Sequence, residues 1–323
     1  MAKREKKKAS VRSALSPKEV LALVDDPRAR TLLRALGLLT PRGGASADAH
    51  RKIKQITHLA RLIAPAIEDA YDRHQEPVVV DAAAGKGYIG LLLYERLMRP
   101  RGRGRMVLVE AREDLVQRLR RWVRELGYER VEVIHAPVVE APLPERVHVV
   151  VALHACDTAT DEVIVRALRA SADHVALVPC CQAEVARLLE RTPKGPTAPL
   201  WSDAWHRREF GAHYTNVLRT LVLRARGYRV RATELTGWEH SVKNELILAR
   251  RVGRYHRGAE AQLGALLEEI PVRPWLLESL PDDEEPTEAR GDGSEVDAPE
   301  QAQPGSSKVS ESASSGDSSP TDA

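Results

Sequence analysis

The stretch Val78-Val79-Val80-Asp81-Ala82-Ala83-Ala84-Gly85-Lys86-Gly87-Tyr88-Ile89-Gly90 limits what this chain can fold into more than any other. Its valines are β-branched and favour a buried strand. Small residues follow, and their glycines allow the positive φ of a tight turn. Leu91-Leu92-Leu93-Tyr94-Glu95-Arg96-Leu97-Met98 then reads as an apolar helix. Strand, glycine turn and helix in this order set backbone N–H groups and a helix N-terminus at the carboxyl edge of a parallel sheet. Nucleotide-like ligands bind at such an edge.

The chain around this stretch alternates in the same way. Strands are expected at 78–81, 105–110, 131–135, 147–153 and 174–178, with helices at 87–98, 112–126, 159–171 and 182–191. A helix at about 209–226 stops at Gly227. Strands 228–235 and 243–250 follow, joined by Thr236-Gly237-Trp238-Glu239-His240-Ser241. Upstream, Ser16-Pro17-Lys18-Glu19 is a capping box that opens one helix, and Asp26-Pro27 opens a second, which Gly37 ends. From Ala47 to about Arg73, Ile53, Ile56, Leu59, Leu62, Ile63, Ile67 and Tyr71 keep helical spacing, and Pro65 is expected to kink or divide that helix. The pattern implies an α/β fold with a doubly wound, mostly parallel, seven-stranded sheet. A terminal antiparallel hairpin and an N-terminal helical extension complete it. The expected organisation is a disordered basic arm at 1–15, the helical extension at 16–75 and an α/β domain at 76–252. A C-terminal helical segment at 253–280 and a disordered acidic tail at 281–323 follow.

Charge is strongly polarised. Residues 281–323 hold twelve acidic and two basic side chains, which leaves +13 on residues 1–280. A body that basic favours a polyanionic partner, although surface arginine also serves as ordinary solubilising decoration. Cys156, Cys180 and Cys181 are too few for a disulfide framework and imply a reducing compartment. No apolar run reaches membrane-spanning length, and the start has no apolar signal region. A soluble, cytoplasmic protein without membrane contact is therefore expected.

In such a sheet the loops after the parallel strands gather at the carboxyl edge. Glu110, the segment His154-Ala155-Cys156-Asp157, and Pro179-Cys180-Cys181-Gln182 should therefore face the glycine turn. The hairpin tip with Trp238 and Lys243 should do so too. Trp205, His206, Arg207, Arg208, His213 and Tyr214, at the start of the 209–226 helix, belong near the same mouth. Arg99, Arg101, Arg103 and Arg105 belong at the opposite edge. His154 and Asp157 are the candidates for orienting or deprotonating an acceptor. His154, Cys156, Cys180 and Cys181 could also assemble a zinc site, but His-x-Cys and Cys-Cys are not zinc-module spacings, so no metal is expected. Buried cysteine at a strand end commonly serves as a small hydrophobe.

Two cofactors compete for the turn. Gly85-x-Gly87-x-x-Gly90 with Glu110 downstream fits a dinucleotide site. However, Asp81 and three alanines precede the glycines. An acid closing the strand, then small-x-Gly-x-Gly, resembles the S-adenosyl-L-methionine (SAM) loop of class I methyltransferases. Ala83 stands where that pattern usually has its first glycine. SAM is the better match, with Asp81, Gly85, Gly87 and Glu110 as its binding residues.

Further motifs narrow the resemblance. The turn from Asp81 to Ile89, the segment Ala152-Leu-His-Ala-Cys-Asp-Thr-Ala-Thr-Asp161, and Val178-Pro-Cys-Cys-Gln182 resemble a family of SAM-dependent methyltransferase-domain proteins. Lys54-Gln55 and Lys243-Asn244 are similar to that family too, so the resemblance spans roughly residues 50–250. It implies a Rossmann-like class I methyltransferase fold and SAM as cofactor. A related group of tRNA 2′-O-methyltransferases carries a similar His-x-Cys segment and Cys-Cys turn, which points towards RNA. Cys180, Cys181, Gln182, Arg207, Arg208 and Lys243 are then the expected substrate-binding residues. Three functional readings follow: a methyltransferase acting on tRNA or rRNA, one acting on a small molecule or protein, and a SAM-binding, RNA-associated protein without turnover.

Overall fold

The computed structural model describes residues 27–153, 155–179, 182–192, 195–235 and 245–281. The basic arm, the helix expected from Ser16 and the acidic tail beyond Pro281 lie outside these residues. Seven strands form one sheet: β1 (Val78–Ala82), β2 (Arg105–Glu110), β3 (Val131–His135), β4 (Val149–Ala152), β5 (His174–Leu177), β6 (Tyr228–Glu234) and β7 (Glu245–Arg251). Their order across the sheet is β3-β2-β1-β4-β5-β7-β6. The first five strands pair parallel, and β7 runs antiparallel to both β5 and β6. The doubly wound sheet with its terminal hairpin is therefore present as the alternation predicts. Chain order reverses between β1 and β4, so the loop after β1 turns away from the loop after β4. The crevice left between two such loops is where open α/β sheets bind ligands.

Helices cover both faces. On one side lie α1 (Pro27–Ala35), α2 (Ala47–Arg73), α3 (Tyr88–Leu93) and α4 (Glu113–Glu125). Leu32 and Leu33 of α1, Ile53, Leu59, Ile63 and Ile67 of α2, and Leu91 to Leu93 of α3 share one core with the outward face of β1 and β2. The other face is covered by α5 (Thr158–Arg169) and α7 (Ala204–Ala225), which bury Val163, Ile164, Val222 and Leu223 against the sheet. Between them in sequence lies the short α6 (Glu184–Glu190). The C-terminal helices α8 (Arg257–Glu269) and α9 (Trp275–Glu278) close the described chain.

Two local outcomes differ from the sequence reading. Pro65 does not divide α2, which runs unbroken over 27 residues. A proline removes one backbone hydrogen bond, and the buried isoleucine stripe on either side outweighs that loss. The helix after the glycine turn changes pitch, with π-helical Tyr94–Met98 and 3-10 Arg99–Arg101 following α3. Arg103 sits at the amino edge as expected, donating to the carbonyls of Tyr71, His74 and Gln75 before β1.

Candidate active site

The glycine turn is held from beneath by Asp81. Its side chain is buried and accepts a 3.0 Å hydrogen bond from the Gly90 N–H. Burial raises the Asp81 carboxyl to about 7; the Gly90 bond opposes this rise and the nearby Glu110 charge adds to it. A side chain on Gly90 would lie 2.6 Å from Asp81 Oδ2 and 2.5 Å from Leu108, so only glycine fits there. Gly85 and Gly87 both have positive φ, 59° and 68°. Space beside Gly85 is open, with nothing nearer than the Ala83 carbonyl at 4.0 Å. A ligand can therefore approach its backbone closely. Ala83, at the position where glycine is commoner, also takes a left-handed φ of 60°. That conformation costs a side-chain-bearing residue about 1–2 kcal/mol.

Glu110 closes β2 and is almost completely buried. One carboxylate oxygen accepts from the Gly85 N–H at 2.7 Å, the other from the Arg112 N–H at 2.9 Å. The carboxylate thus ties the β1 turn to the β2 loop. Next to it is a cavity of about 580 Å³, a size common for small-molecule sites. Its lining includes Lys52 and Gln55 from α2, Gly85 and Lys86 from the turn, Arg118 from α4, and Leu153 just after β4. The Lys52 ammonium lies over the Tyr88 ring at 4.5 Å. Burial, then repulsion from Lys86, lowers its pKa. A cavity of this size, lined by the open glycine turn and by cations, fits a SAM-sized ligand.

The acceptor side is less simple than the sequence implies. His154, Cys180, Cys181 and Lys243 lie outside the described residues, as do Trp238 and therefore the zinc alternative. Asp157 has a strained backbone, φ 54° and ψ −125°. Its Oδ1 accepts from the Ala183 and Glu184 N–H groups, and its Oδ2 pairs with Arg187 at 3.0 Å. Burial would raise its pKa, but the Ala183 bond, Arg187 and the Glu184 bond together lower it. A carboxylate so occupied is a poor proton acceptor, so its deprotonating role is set aside in favour of orienting the loops after β4 and β5.

Three other expectations change. Gln182 is buried and its amide donates to Asn216 Oδ1, so its side chain is not free for substrate. Arg207 pairs with Glu190 at 3.2 Å, and Arg208 stacks on exposed Trp205 at 5.1 Å. Tyr214 is core: its hydroxyl donates to the Leu266 carbonyl and its ring stacks on Phe210. It packs there because the helix face it occupies is the one set against Val185 and Leu189 of α6.

Sequence reasoning missed Arg219, which is 1% exposed. It binds Asp161 at 2.7 and 2.8 Å and donates to the Asp157 carbonyl at 2.9 Å and to Asn216 at 3.1 Å. Asn216 in turn donates to Glu245. The loop after β4, the loop after β5, α7 and the start of β7 are thereby joined under the mouth. An arginine among Leu218, Leu221 and Val222 was the available signal. At the amino edge, His74, His148 and Asp173 group closely enough for a cation. However, the Val78 N–H donates to His148 Nδ1, which keeps the proton on Nε2, and Arg146 and Arg73 already neutralise Asp173. The group is a structural ion-pair network.

Residues 51–188 match the family model described as a methyltransferase domain. A search of curated proteins found none that matches the chain. Among solved structures, the chain is similar to a SAM dependent methyltransferase from Aquifex aeolicus, at 18% identity and a TM-score of 0.34, over 61% of this chain and 97% of that one. It is also similar to an rRNA methylase from Streptococcus thermophilus, at 14% identity and TM-score 0.39, over 61% and 96%. A precorrin-6y C5,15-methyltransferase from Geobacter metallireducens aligns at 14% identity and TM-score 0.34, over 59% and 87%. Likenesses this distant assign no substrate. The family match runs from α2 through the glycine turn to α6, so residues 51–188 carry a methyltransferase domain, set on a Rossmann-like sheet and using SAM as its cofactor.

Proposed function

We propose that the protein methylates RNA, either tRNA or rRNA, in the cytoplasm. The observation that carries this reading is the set of cations around the cofactor cavity. Lys52, Lys86 and Arg118 line it without an ion-pair partner among the described residues. Clustered unpaired cations repel one another unless an anion joins them. The +13 charge of residues 1–280 agrees with a polyanionic acceptor. We assign the catalytic domain to 76–252, with the extension at 16–75 contributing Lys52 and the segment 253–280 packing behind α7.

SAM supplies a methyl carbon on a positively charged sulfur, which an acceptor nitrogen or oxygen displaces in line. The chain's own task is to hold the two reactants and exclude water. Gly85 gives room for close backbone approach, Gly87 lets the turn pack on Leu119 and Leu91, and Glu110 offers its carboxylate to the ribose hydroxyls. Asp81 keeps the turn in shape from below. Asp157 orients the loops after β4 and β5, and Cys180, Cys181 and Lys243 are assigned to binding the acceptor. His154 is the group assigned to receive the acceptor's proton. Mass spectrometry of nucleosides from total RNA of wild-type and deletion strains tests the reading. A modified nucleoside lost on deletion and restored by the wild-type gene supports it. An unchanged nucleoside profile, with SAM still bound by calorimetry, moves the acceptor to a small molecule or protein.

A further inference from the structure

The basic lining of the cofactor cavity continues along the exposed side of α4. A second cavity, of about 480 Å³, is lined by Asp114, Gln117, Arg118, Arg120, Arg121 and Arg124. It shares Asp114 and Arg118 with the first, so the two cavities adjoin along α4. Within α4 the acids sit at the ends, Glu113 and Asp114 in the first turn and Glu125 in the last. Asp114 is taken by Arg112 at 3.0 Å, and Glu125 stands 3.9 Å from Arg121. Between Arg118 and Arg124 there are four arginines and no acid.

A merely solvated helix face gains from opposite charges at i, i+3 and i, i+4, and like charges at that spacing cost a few tenths of a kcal/mol each. Here Arg118–Arg121, Arg121–Arg124 and Arg120–Arg124 are all like pairs. Lys52 and Lys86 repeat the same conflict at the cavity itself. Repulsion maintained at both cavities is relieved by a chain of regularly spaced anions. From Arg118 to Arg124 the helix rises about 9 Å, room for successive phosphates of an extended strand.

We propose that this face of α4 guides the phosphodiester backbone of single-stranded RNA towards the cofactor cavity. The inference rests on the RNA reading above, and its test separates the two. Anisotropy of a labelled single-stranded oligoribonucleotide is followed with the full chain as salt rises from about 50 to 200 mM. Each phosphate contact on a single strand contributes about 0.7 to the slope of log K against log salt. The double variant Arg121→Ala/Arg124→Ala, at exposed helical positions outside the cofactor cavity, should reduce that slope by about 1.4. Arg121→Glu/Arg124→Glu should weaken binding at least about tenfold at the lowest salt. SAM affinity by calorimetry should be unchanged in both, and Arg207→Ala should leave the slope as in the wild type. Wild-type slope and affinity in both α4 variants would overturn the path and leave the RNA reading standing. No wild-type binding above that of a neutral polymer would overturn the RNA reading itself. Displacement of the RNA by polyglutamate at equal charge concentration would replace RNA by an acidic protein segment as the occupant.

Discussion

The amino edge of the sheet and the glycine-turn side of its carboxyl edge treat charge in opposite ways. At the amino edge nearly every ionic group described has a partner. Asp173 meets His74 and Arg146 at 2.8 Å and Arg73 at 3.3 Å, and Asp69 meets Arg73, His174 and Arg250. Arg103 is consumed by three backbone carbonyls. At the carboxyl edge Lys52, Lys86 and Arg118 surround open volume, while Glu110 and Asp81 accept from turn N–H groups rather than from side-chain cations. One edge locks strand starts together. The other stores interaction capacity for a ligand, which is the arrangement a parallel sheet favours at its switch point.

Substitution on each side should expose that contrast. The largest effect is expected from Asp173→Ala, which strips the shared partner from His74, Arg73 and Arg146. It should destabilise the fold by about 2–4 kcal/mol, the partners being partly exposed, and leave SAM affinity unchanged. Denaturant unfolding and calorimetry on the same sample check both halves. Glu110→Ala reverses the pattern. SAM binding should weaken by about 1–3 kcal/mol, with a smaller loss of stability because Gly85 and Arg112 N–H groups can turn to water. A stability loss larger than the binding loss would show that Glu110 is a strut rather than a ligand contact.

Asp81→Asn sharpens the comparison through pH. The folded-state value of about 7 is above the ordinary aspartate value near 3.9, so the folded protein holds the extra proton between the two. Stability from this group is complete below about pH 4 and is lost as pH rises through about 7. Asparagine still accepts from Gly90 but does not titrate, so the decline over that window should flatten. Melting temperatures across the window measure it. The smallest effect is expected at Ala83→Gly. Relief of the left-handed strain, about 1–2 kcal/mol, is partly offset by the greater freedom of glycine in the unfolded chain, leaving a gain of about 0.5–1 kcal/mol.

The strand–helix alternation, the parallel sheet with its terminal hairpin, the glycine turn and the acid closing β2 were all readable from residue pattern. Their causes are local: β-branched runs, turn glycines and the period of apolar residues act within a few positions. Chain connectivity then brings the ends of parallel strands to one edge whatever the side chains do. Tertiary structure alone decided which polar groups meet. It paired Arg219 with Asp161 across 58 positions of sequence and turned Asp157 onto the start of α6. It spent Arg207 on Glu190, sent Tyr214 into the core and set Lys52 beside the glycine turn. Periodicity states that a residue is buried or exposed, but a hydrogen bond depends on angles and distances of about 3 Å, fixed only when distant segments pack.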